Sequence, residues 1–418
     1  MLFALGLVAY IQQKSLTIAA ARIMPQLRLT QLQIGWLEQA FVVGYTIFQL
    51  PGGLLGQRLG ARSALTLYGL LAFCAVIAMP LLPGYLSGRA LFNALVAAQL
   101  LLGLSQGGIF PVSTGVFATW FPSRQWPLVE GLGTMGLGLG AALTAPLIAT
   151  LMVAFSWQLA LVWSGVPGLL LTLFWLYYAR NTPREHRAVS TAELAELGEI
   201  EHATVDQRIG WRRLRELVSD RNTRLIAVSY LAMNYSFYLL SNWSFLYLVQ
   251  ERHFSALTGG WLAMAPPLAS ALGAGLGGAL TMRLCARLGI VRGLRVVPVC
   301  ALLMTAVLLP GATRVADPYI ALVALTLCFG LVELTEGAYW GATIRLGGPD
   351  AMVVGGIVNA CGNLGGIIGI PIVAYLSGRQ RWDTAFLIGS FSAALSALIW
   401  LGISPPAGAT RVVIARAE

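Results

Sequence analysis

The chain has 418 residues, of which 57% are hydrophobic and only 11% are charged, and its mean hydropathy is +0.74. A soluble domain carries about 25% charged residues, so this composition excludes an ordinary soluble protein. The net charge of +10 does not indicate nucleic-acid binding, because the basic residues, all arginines except Lys14, concentrate in alternate loops as they do in membrane proteins.

A helix that crosses a bilayer needs roughly 20 apolar residues, and about twelve such runs follow one another here. They lack the alternation of strands, and lipid offers backbone groups no hydrogen-bonding partner, so the runs indicate helices. We predict an all-α membrane protein with about 12 transmembrane helices in two pseudo-symmetric six-helix bundles. The approximate spans are 2–24, 34–56, 62–83, 94–120, 128–153, 157–178, 224–249, 257–284, 293–309, 318–344, 352–376 and 384–403.

The predicted domains are an N-terminal bundle at 1–179, a polar linker with short helices at 180–222, a C-terminal bundle at 223–404 and a tail at 405–418. Placing the linker in the cytoplasm leaves roughly 19 basic residues inside and about six outside. We therefore predict a multi-pass protein of the plasma (inner) membrane, with both termini and the tail cytoplasmic.

The two halves share glycine and tyrosine positions at an offset of about 225 residues. Gly53 and Gly131 recur as Gly278 and Gly356, and Tyr10 recurs as Tyr235. A duplicated bundle is the architecture of secondary transporters, with the solute site between the halves. The repeat predicts a carrier that works by alternating access, and not an enzyme.

Ionisable residues within the apolar spans are functional candidates, because charge at membrane depth is costly. Glu333, Glu336 and Trp340 are spaced to share one helix face, and two close carboxylates in low dielectric favour retention of a proton. Lys14, one turn after Tyr10, is a candidate partner for an anionic solute. The alternative is that a carboxylate of the pair forms a structural ion pair with Lys14 across the halves.

The segment Gly53-x-x-x-Gln57-Arg58-x-Gly60-x-Arg62 resembles the signature loop of the major facilitator superfamily. The resemblance implies the fold of that superfamily and a gating role for this loop as the halves close. The family usually has an acidic residue where Gln57 stands, so the usual charged latch is in doubt. The alternative is that the arginines only anchor the edge of the membrane.

Four further stretches resemble the anion:cation symporter branch of that superfamily, which includes hexuronate, galactonate and phthalate-type carriers. They are AFVVGYTIFQLPGGLLG at 40–56, LGLSQGGIFP at 102–111, NTPREHRAVSTAEL at 181–194 and GIVNACGNLGGIIGIP at 356–371. This resemblance implies a sugar-acid-like solute and possible coupling to protons. By the same resemblance the solute-binding candidates include Tyr45, Gln49, Asn234, Tyr238, Trp243, Asn359 and Asn363.

The chain departs from the branch at four charged positions. The usual Asp-Arg pair of helix one aligns with Gln12 and Gln13, and the usual Arg and Glu of helix four align with Gln99 and Gln106. Amides donate and accept hydrogen bonds but do not titrate, so these positions can bind a solute without carrying a proton. The alternative is that they are polar residues that pack between helices.

Together these features predict a secondary active transporter of a small organic anion such as a sugar acid. The expected partners are the solute, protons if transport is coupled to them, and the lipid bilayer, for a monomer without cofactor, metal site or nucleic acid. The four amides favour a rival, a proton-independent facilitator or exporter of a neutral polar solute. A membrane enzyme or a sensor derived from a carrier is a more distant alternative.

Overall fold

The computed structural model describes residues 1–197, 209–252 and 264–406, and this part of the chain is almost entirely helical. Its α-helices are α1 (Leu2–Leu27), α2 (Gln31–Leu59), α3 (Ala61–Leu81), α4 (Gly88–Gly107), α5 (Ile109–Trp120), α6 (Trp126–Ala154), α7 (Trp157–Tyr178), α8 (Thr191–Leu197), α9 (Trp211–Ser219), α10 (Arg221–Gln250), α11 (Ala265–Leu288), α12 (Ile290–Arg314), α13 (Pro318–Glu333), α14 (Glu336–Gly347), α15 (Ala351–Ser377) and α16 (Trp382–Trp400).

The predicted all-α membrane fold is confirmed. Nine described segments are long and apolar enough to cross a bilayer, and the one at residues 318–377 holds two passes, one made by α13 with α14 and one by α15. The long helices α2 and α10 complete the twelve predicted spans. The start of the span predicted at 257–284, part of the linker (198–208) and most of the tail (407–418) lie outside the described residues.

Two helices predicted to be continuous are interrupted. The span predicted at 94–120 divides at Gly108 into α4 and α5, three residues before Pro111, whose ring nitrogen has no hydrogen to donate to the preceding turn. The span predicted at 318–344 divides at residues 334–335 into α13 and α14. The first helix, predicted at about 2–24, continues through Pro25 to Leu27 and ends at Arg28 in the left-handed conformation (φ 53°).

The sequence repeat recurs in the contacts between the two bundles. A Cβ on Gly53 would overlap the carbonyl oxygen of Met352, and a Cβ on Gly278 would overlap that of Pro127. The offset that relates Gly53 to Gly278 also relates Pro127 to Met352. These two contacts are therefore equivalent under exchange of the halves, as a pseudo-twofold axis requires.

A second pair of contacts follows the same rule. A Cβ on Gly356 of α15 would lie 2.7 Å from the Gln49 carbonyl oxygen, and a Cβ on Gly131 of α6 would overlap that of Ala274. Residues 49 and 274 are again one repeat apart. Both pairs bring helix backbones into direct contact, which requires glycine at the crossing point.

These contacts close one end of the molecule, at the ends of the bundles next to residues 180–222, which we call the linker side. Here Gln57 Nε2 donates to the Pro349 carbonyl (2.8 Å), and Arg345 Nη2 donates to the Ser123 carbonyl (2.9 Å), each across the two bundles. The aromatic rings of Phe110 and Trp340 also meet across the bundles, 4.6 Å apart. The linker side is therefore closed in this structure.

Replacing Gly53 with Ala should favour opening of the linker side, because the new methyl group overlaps the Met352 carbonyl only when the halves are closed. Overpacking of this kind costs about 1–3 kcal/mol. In a Gln57→Cys background, alkylation of the thiol introduced at position 57, measured by mass spectrometry, should become about tenfold faster.

The matched control is Gly103→Ala, since a Cβ on Gly103 would overlap the Phe41 carbonyl within the N-terminal bundle. It should lower thermal stability without increasing alkylation at position 57. Equal acceleration by both variants would contradict the assignment of Gly53 to the closing contact.

Candidate functional site

A cavity of about 120 Å³ lies between the bundles at mid-span depth. It is bordered by α1, α6, α10, α11 and α13, with polar groups from Tyr10, Thr134, Ser241, Ser270 and Glu333. Apolar side chains, including Phe237 and Phe329, form the rest of the wall. We call this space the central cavity.

A smaller cavity of about 80 Å³ adjoins it within the N-terminal bundle. Its polar lining comes from Tyr10, Gln13, Tyr45, Gln106, Ser113 and Glu130. Tyr10 and Leu137 border both spaces, so Tyr10 lies at their boundary. The structure thus brings together four of the predicted site residues, and it adds Glu130. We call this space the side cavity.

Lys14 lies next to this boundary on α1. Its Nζ is 5.9 Å from the centre of the Tyr10 ring, as expected for residues one turn apart. Within the described part of the chain, no carboxylate lies at ion-pair distance from Lys14; the opposite charge that acts on it is that of the exposed Glu38 of α2. The alternative of a structural ion pair with Glu333 or Glu336 is therefore not realised.

The two C-terminal carboxylates occupy different surroundings, although both are buried. Glu336 accepts hydrogen bonds from Trp340 Nε1 (2.6 Å) and from the Tyr230 hydroxyl (3.3 Å). Glu333 ends α13 and borders the central cavity, where it interacts electrostatically with Tyr10 and with Glu336. Glu336 and Trp340 share a helix face as their spacing indicates, but the interruption at 334–335 separates Glu333 from that helix.

The amides at the branch's charged positions are partly used in packing. Gln106 Nε2 donates to Gln12 Oε1 and to the Ala9 carbonyl, each at 3.1 Å, so the amides of helices one and four bind each other. Gln99 is buried, and its Oε1 has no hydrogen-bond partner among the described residues. Gln13 lines the side cavity. Gln13 therefore remains available to a solute, whereas Gln106 is bonded to α1 and Gln99 lines neither cavity.

A chain of amides connects the two bundles on the other side of the site. Asn359 Nδ2 donates to Gln49 Oε1 (2.8 Å), Asn363 Nδ2 donates to the Asn359 carbonyl (2.8 Å), and the Tyr238 hydroxyl donates to Asn363 Oδ1 (2.8 Å). Gln49 Nε2 has no partner in the described structure. This donor is fully buried, and Gln49 lines neither cavity.

The other predicted solute-binding residues, Trp243 and Asn234 among them, line neither cavity. Trp243 packs its ring against that of Trp382, with centroids 6.4 Å apart, in the C-terminal bundle. Asn234 donates from Nδ2 to the Tyr230 carbonyl one turn earlier on α10 (2.9 Å). Asn234 therefore adjoins Tyr230, which itself contacts Glu336, whereas Trp243 is placed for packing.

The residues of the predicted gating loop divide between the two bundles. Gly53 and Gln57 contact the C-terminal bundle, as described for the linker side. Arg62 instead donates from Nη2 to the Leu176 carbonyl (2.7 Å) within its own bundle. Gly60 turns the chain between α2 and α3 with φ 79°, and Arg58 is exposed. A neutral amide therefore makes the contact across the bundles that the family's acidic residue would be expected to make.

Sequence reasoning missed Glu130, which is 1% exposed on α6 and borders the side cavity. The signal was available, because Glu130 lies inside the span predicted at 128–153 and is the only acidic residue of that span. Phe110 and Ser241 were also missed, and a sequence pattern does not distinguish them from ordinary packing residues.

Three comparisons with known proteins agree with this geometry. The sequence profile of the Major Facilitator Superfamily matches residues 2–352. The chain is 28% identical to a probable sulfoacetate transporter, SauU, of Cupriavidus necator, covering 95% of this chain and 91% of that protein. It is 27% identical to a hexuronate transporter of Bacillus subtilis, covering 95% and 92% of the two chains.

Solved structures show the same fold. The fucose:proton symporter FucP of E. coli superposes with a TM-score of 0.74 at 15% identity, covering 96% of this chain and 98% of that one. The human organic anion transporter MFSD10 superposes with a TM-score of 0.73 at 17% identity, covering 96% and 98%. The resemblance to the anion:cation symporter branch that the motifs predicted is confirmed by the sequence relatives.

The hydrogen bond between Gln12 and Gln106 predicts a non-additive pair of mutations. Gln106→Met alone should lower stability by about 1–3 kcal/mol, because it leaves the buried Gln12 Oε1 without its donor. Gln12→Met combined with Gln106→Met should recover much of that loss. Thermal unfolding of purified protein measures the effect, and Gln99→Met, whose Oε1 has no protein partner in the described structure, is the control. Additive losses would contradict the pairing.

Proposed function

Because the chain belongs to the Major Facilitator Superfamily, we propose that it carries a small organic anion across the membrane by alternating access. The two bundles rock about the central cavity, so that the site opens to one side at a time. The proposed bundles are residues 1–179 and 223–404, and the linker at 180–222 lets them move relative to each other.

Lys14 is the observation on which the anionic solute rests. Lys14 is half-buried, and holding an ammonium group at membrane depth costs free energy unless a partner compensates it. No described carboxylate lies at ion-pair distance from Lys14, and the group adjoins Tyr10 at the boundary of both cavities. A carboxylate or sulfonate of the solute would supply the missing charge. The relatives named for sulfoacetate, hexuronate and D-galactonate support this class of solute.

Hydroxyl groups of the solute have several candidate partners. Tyr10, Gln13 and Tyr45 face the side cavity, and Gln49 Nε2 has no partner in the described structure. Neutral donors and acceptors of this kind bind hydroxyl groups without a further charge. This combination of one cation and several neutral polar groups suits a sugar acid better than a dicarboxylate.

Proton coupling is proposed to involve the buried carboxylates Glu333 and Glu336. Glu333 borders the central cavity, and the two groups interact electrostatically. A proton taken up here would offset the charge of an entering anion. The proton symporters among the structural neighbours support the feasibility of such coupling on this fold.

A second candidate function is facilitated transport of a neutral polar solute without protons. The Gln12–Gln106 hydrogen bond favours it, because two groups that cannot titrate stand where the branch places charged residues. In this alternative Lys14 contributes only hydrogen bonds.

We further propose that the protein lies in the plasma (inner) membrane as a monomer, with the linker side in the cytoplasm. The distribution of arginines supports this orientation, since they concentrate next to that side, for example in α9 and around residues 283–295. Both termini are then cytoplasmic, and the structure faces outward with its cytoplasmic side closed.

Replacing Lys14 with Gln should selectively weaken binding of anions. Removal of one charged hydrogen-bond partner costs about 1.5–3 kcal/mol, or roughly 10- to 100-fold in affinity. A thermal-shift screen with sugar acids, sulfonates and neutral sugars measures this. The control, Arg22→Gln, removes an exposed positive charge from the same helix and should leave the responses unchanged. Stabilisation of the wild-type protein by neutral sugars alone would favour the second candidate.

Transport into proteoliposomes with an imposed pH gradient tests proton coupling. The wild-type protein should concentrate the anion about tenfold for each pH unit in one-to-one symport. Glu333→Gln or Glu336→Gln should lose this accumulation. Symport would be refuted if the accumulated amount of anion were the same with and without the pH gradient and neither variant changed it.

A further inference from the structure

Glu130 of α6 is a third buried carboxyl group at the site, and its surroundings differ from those of Glu336. It is 1% exposed, and its Oε1 has no hydrogen-bond partner in the described part of the chain. An ionised carboxylate in such a place loses its hydration without replacement, which costs more than holding a proton. In this structure Glu130 is therefore best satisfied as a neutral carboxyl group.

The neighbouring hydroxyl group of Thr114 is engaged within its own helix, because Thr114 Oγ1 donates to the Phe110 carbonyl one turn earlier (3.2 Å).

Glu336, on the opposite bundle, is arranged to carry the negative charge. It receives hydrogen bonds from Trp340 Nε1 and the Tyr230 hydroxyl, and it is the first residue of α14, where the helix dipole favours an anion. Glu130 and Glu336 interact electrostatically across the interface. Although the two side chains are chemically identical, their surroundings favour the protonated form of Glu130 and the ionised form of Glu336.

Closure of the linker side holds this pair together. Gly337, next to Glu336, and Pro127, one turn before Glu130, are in close contact: a Cβ on Gly337 would lie 2.5 Å from the Pro127 carbonyl oxygen. When the linker side opens, this contact between α6 and α14 must separate. Water then reaches Glu130, and hydration of its ionised form permits the proton to leave towards the linker side.

The other groups packed around α6 do not supply an alternative partner. Tyr10 of α1 borders the same cavity, and Arg345 of α14 lies nearer the linker side, over the Trp126 ring at 5.1 Å. Among the described residues of α5, α7 and α11, no charged side chain interacts with Glu130. Glu336 is thus the ionisable group that faces it.

We propose that Glu130 is the proton-carrying residue of the N-terminal bundle: it holds the transported proton while the linker side is closed, opposite the ionised Glu336, and releases it when that side opens. The inference rests on the proposed anion transport: it adds a proton-carrying group in the N-terminal bundle to the proposed role of Glu333 and Glu336 in coupling.

The test compares Glu130→Gln with wild-type protein in two assays on the same proteoliposomes. Glutamine mimics the protonated side chain, so exchange of labelled for unlabelled anion should continue at a rate close to wild type. Accumulation driven by one unit of pH gradient, about tenfold in the wild type, should vanish. The control Glu185→Gln removes an exposed carboxylate of the linker and should change neither assay.

Infrared spectroscopy supplies an independent measurement of the proton itself. The C=O stretching band of protonated carboxyl groups should lose intensity in Glu130→Gln but not in Glu336→Gln. Full gradient-driven accumulation by Glu130→Gln, or an unchanged band, would overturn the proposal. If the wild-type protein exchanges no organic anion at all, the proposed function itself fails, which is a distinct result. Unfolding of Glu130→Gln would appear in its thermal transition, and the Glu130→Asp variant, which retains a titratable group, should then restore accumulation.

Discussion

The structure depends on direct contact between helix backbones at the interface of the two bundles. Gly53 and Gly278 remove the side chain where α2 meets α15 and where α11 meets α6, and the carbonyl groups of Met352 and Pro127 occupy the space. Van der Waals contacts of this kind are individually weak and depend steeply on distance. They can hold the linker side closed and yet be broken at modest cost, which a rocking transporter requires.

The same contacts determine which residues of α6 and α14 face each other at the centre of the molecule. Because Gly337 meets Pro127 so closely, the first turn of α14 is held beside the first turns of α6, and Glu336 comes to face Glu130. The neutral Gln57 adds a hydrogen bond at the edge of the closure without a buried charge. The linker side is thus closed by backbone contacts, by the Gln57 amide and by the buried Arg345, which donates to the Ser123 carbonyl.

Charge within the bundles follows a consistent physical rule. Where charged residues are expected from the branch, Gln12 and Gln106 satisfy each other, so nothing at that location needs a proton or a counter-ion. The buried carboxyl groups have unequal surroundings: Glu336 has two donors, whereas Glu130 has an unpartnered oxygen. The half-buried Lys14 has no carboxylate at ion-pair distance among the described residues. In the proposed mechanism, such differences let the proton and the anion bind at separate places.

The sequence by itself determined the membrane class, the number of passes, the duplication and the family. Hydropathy, the repeat and the motifs can all be found along the sequence without knowing which helices touch. It also identified Lys14, Glu333 and Glu336, since charge in an apolar span is visible without a partner. Only the tertiary structure decided that Gln106 binds Gln12, that Trp243 packs on Trp382, that the helices divide at Gly108 and at 334–335, and that Glu130 faces Glu336. Those outcomes depend on which faces of distant helices meet. At this interface, glycines that let backbones touch and hydrogen bonds between side chains decide which helices pair, and local residue preference does not.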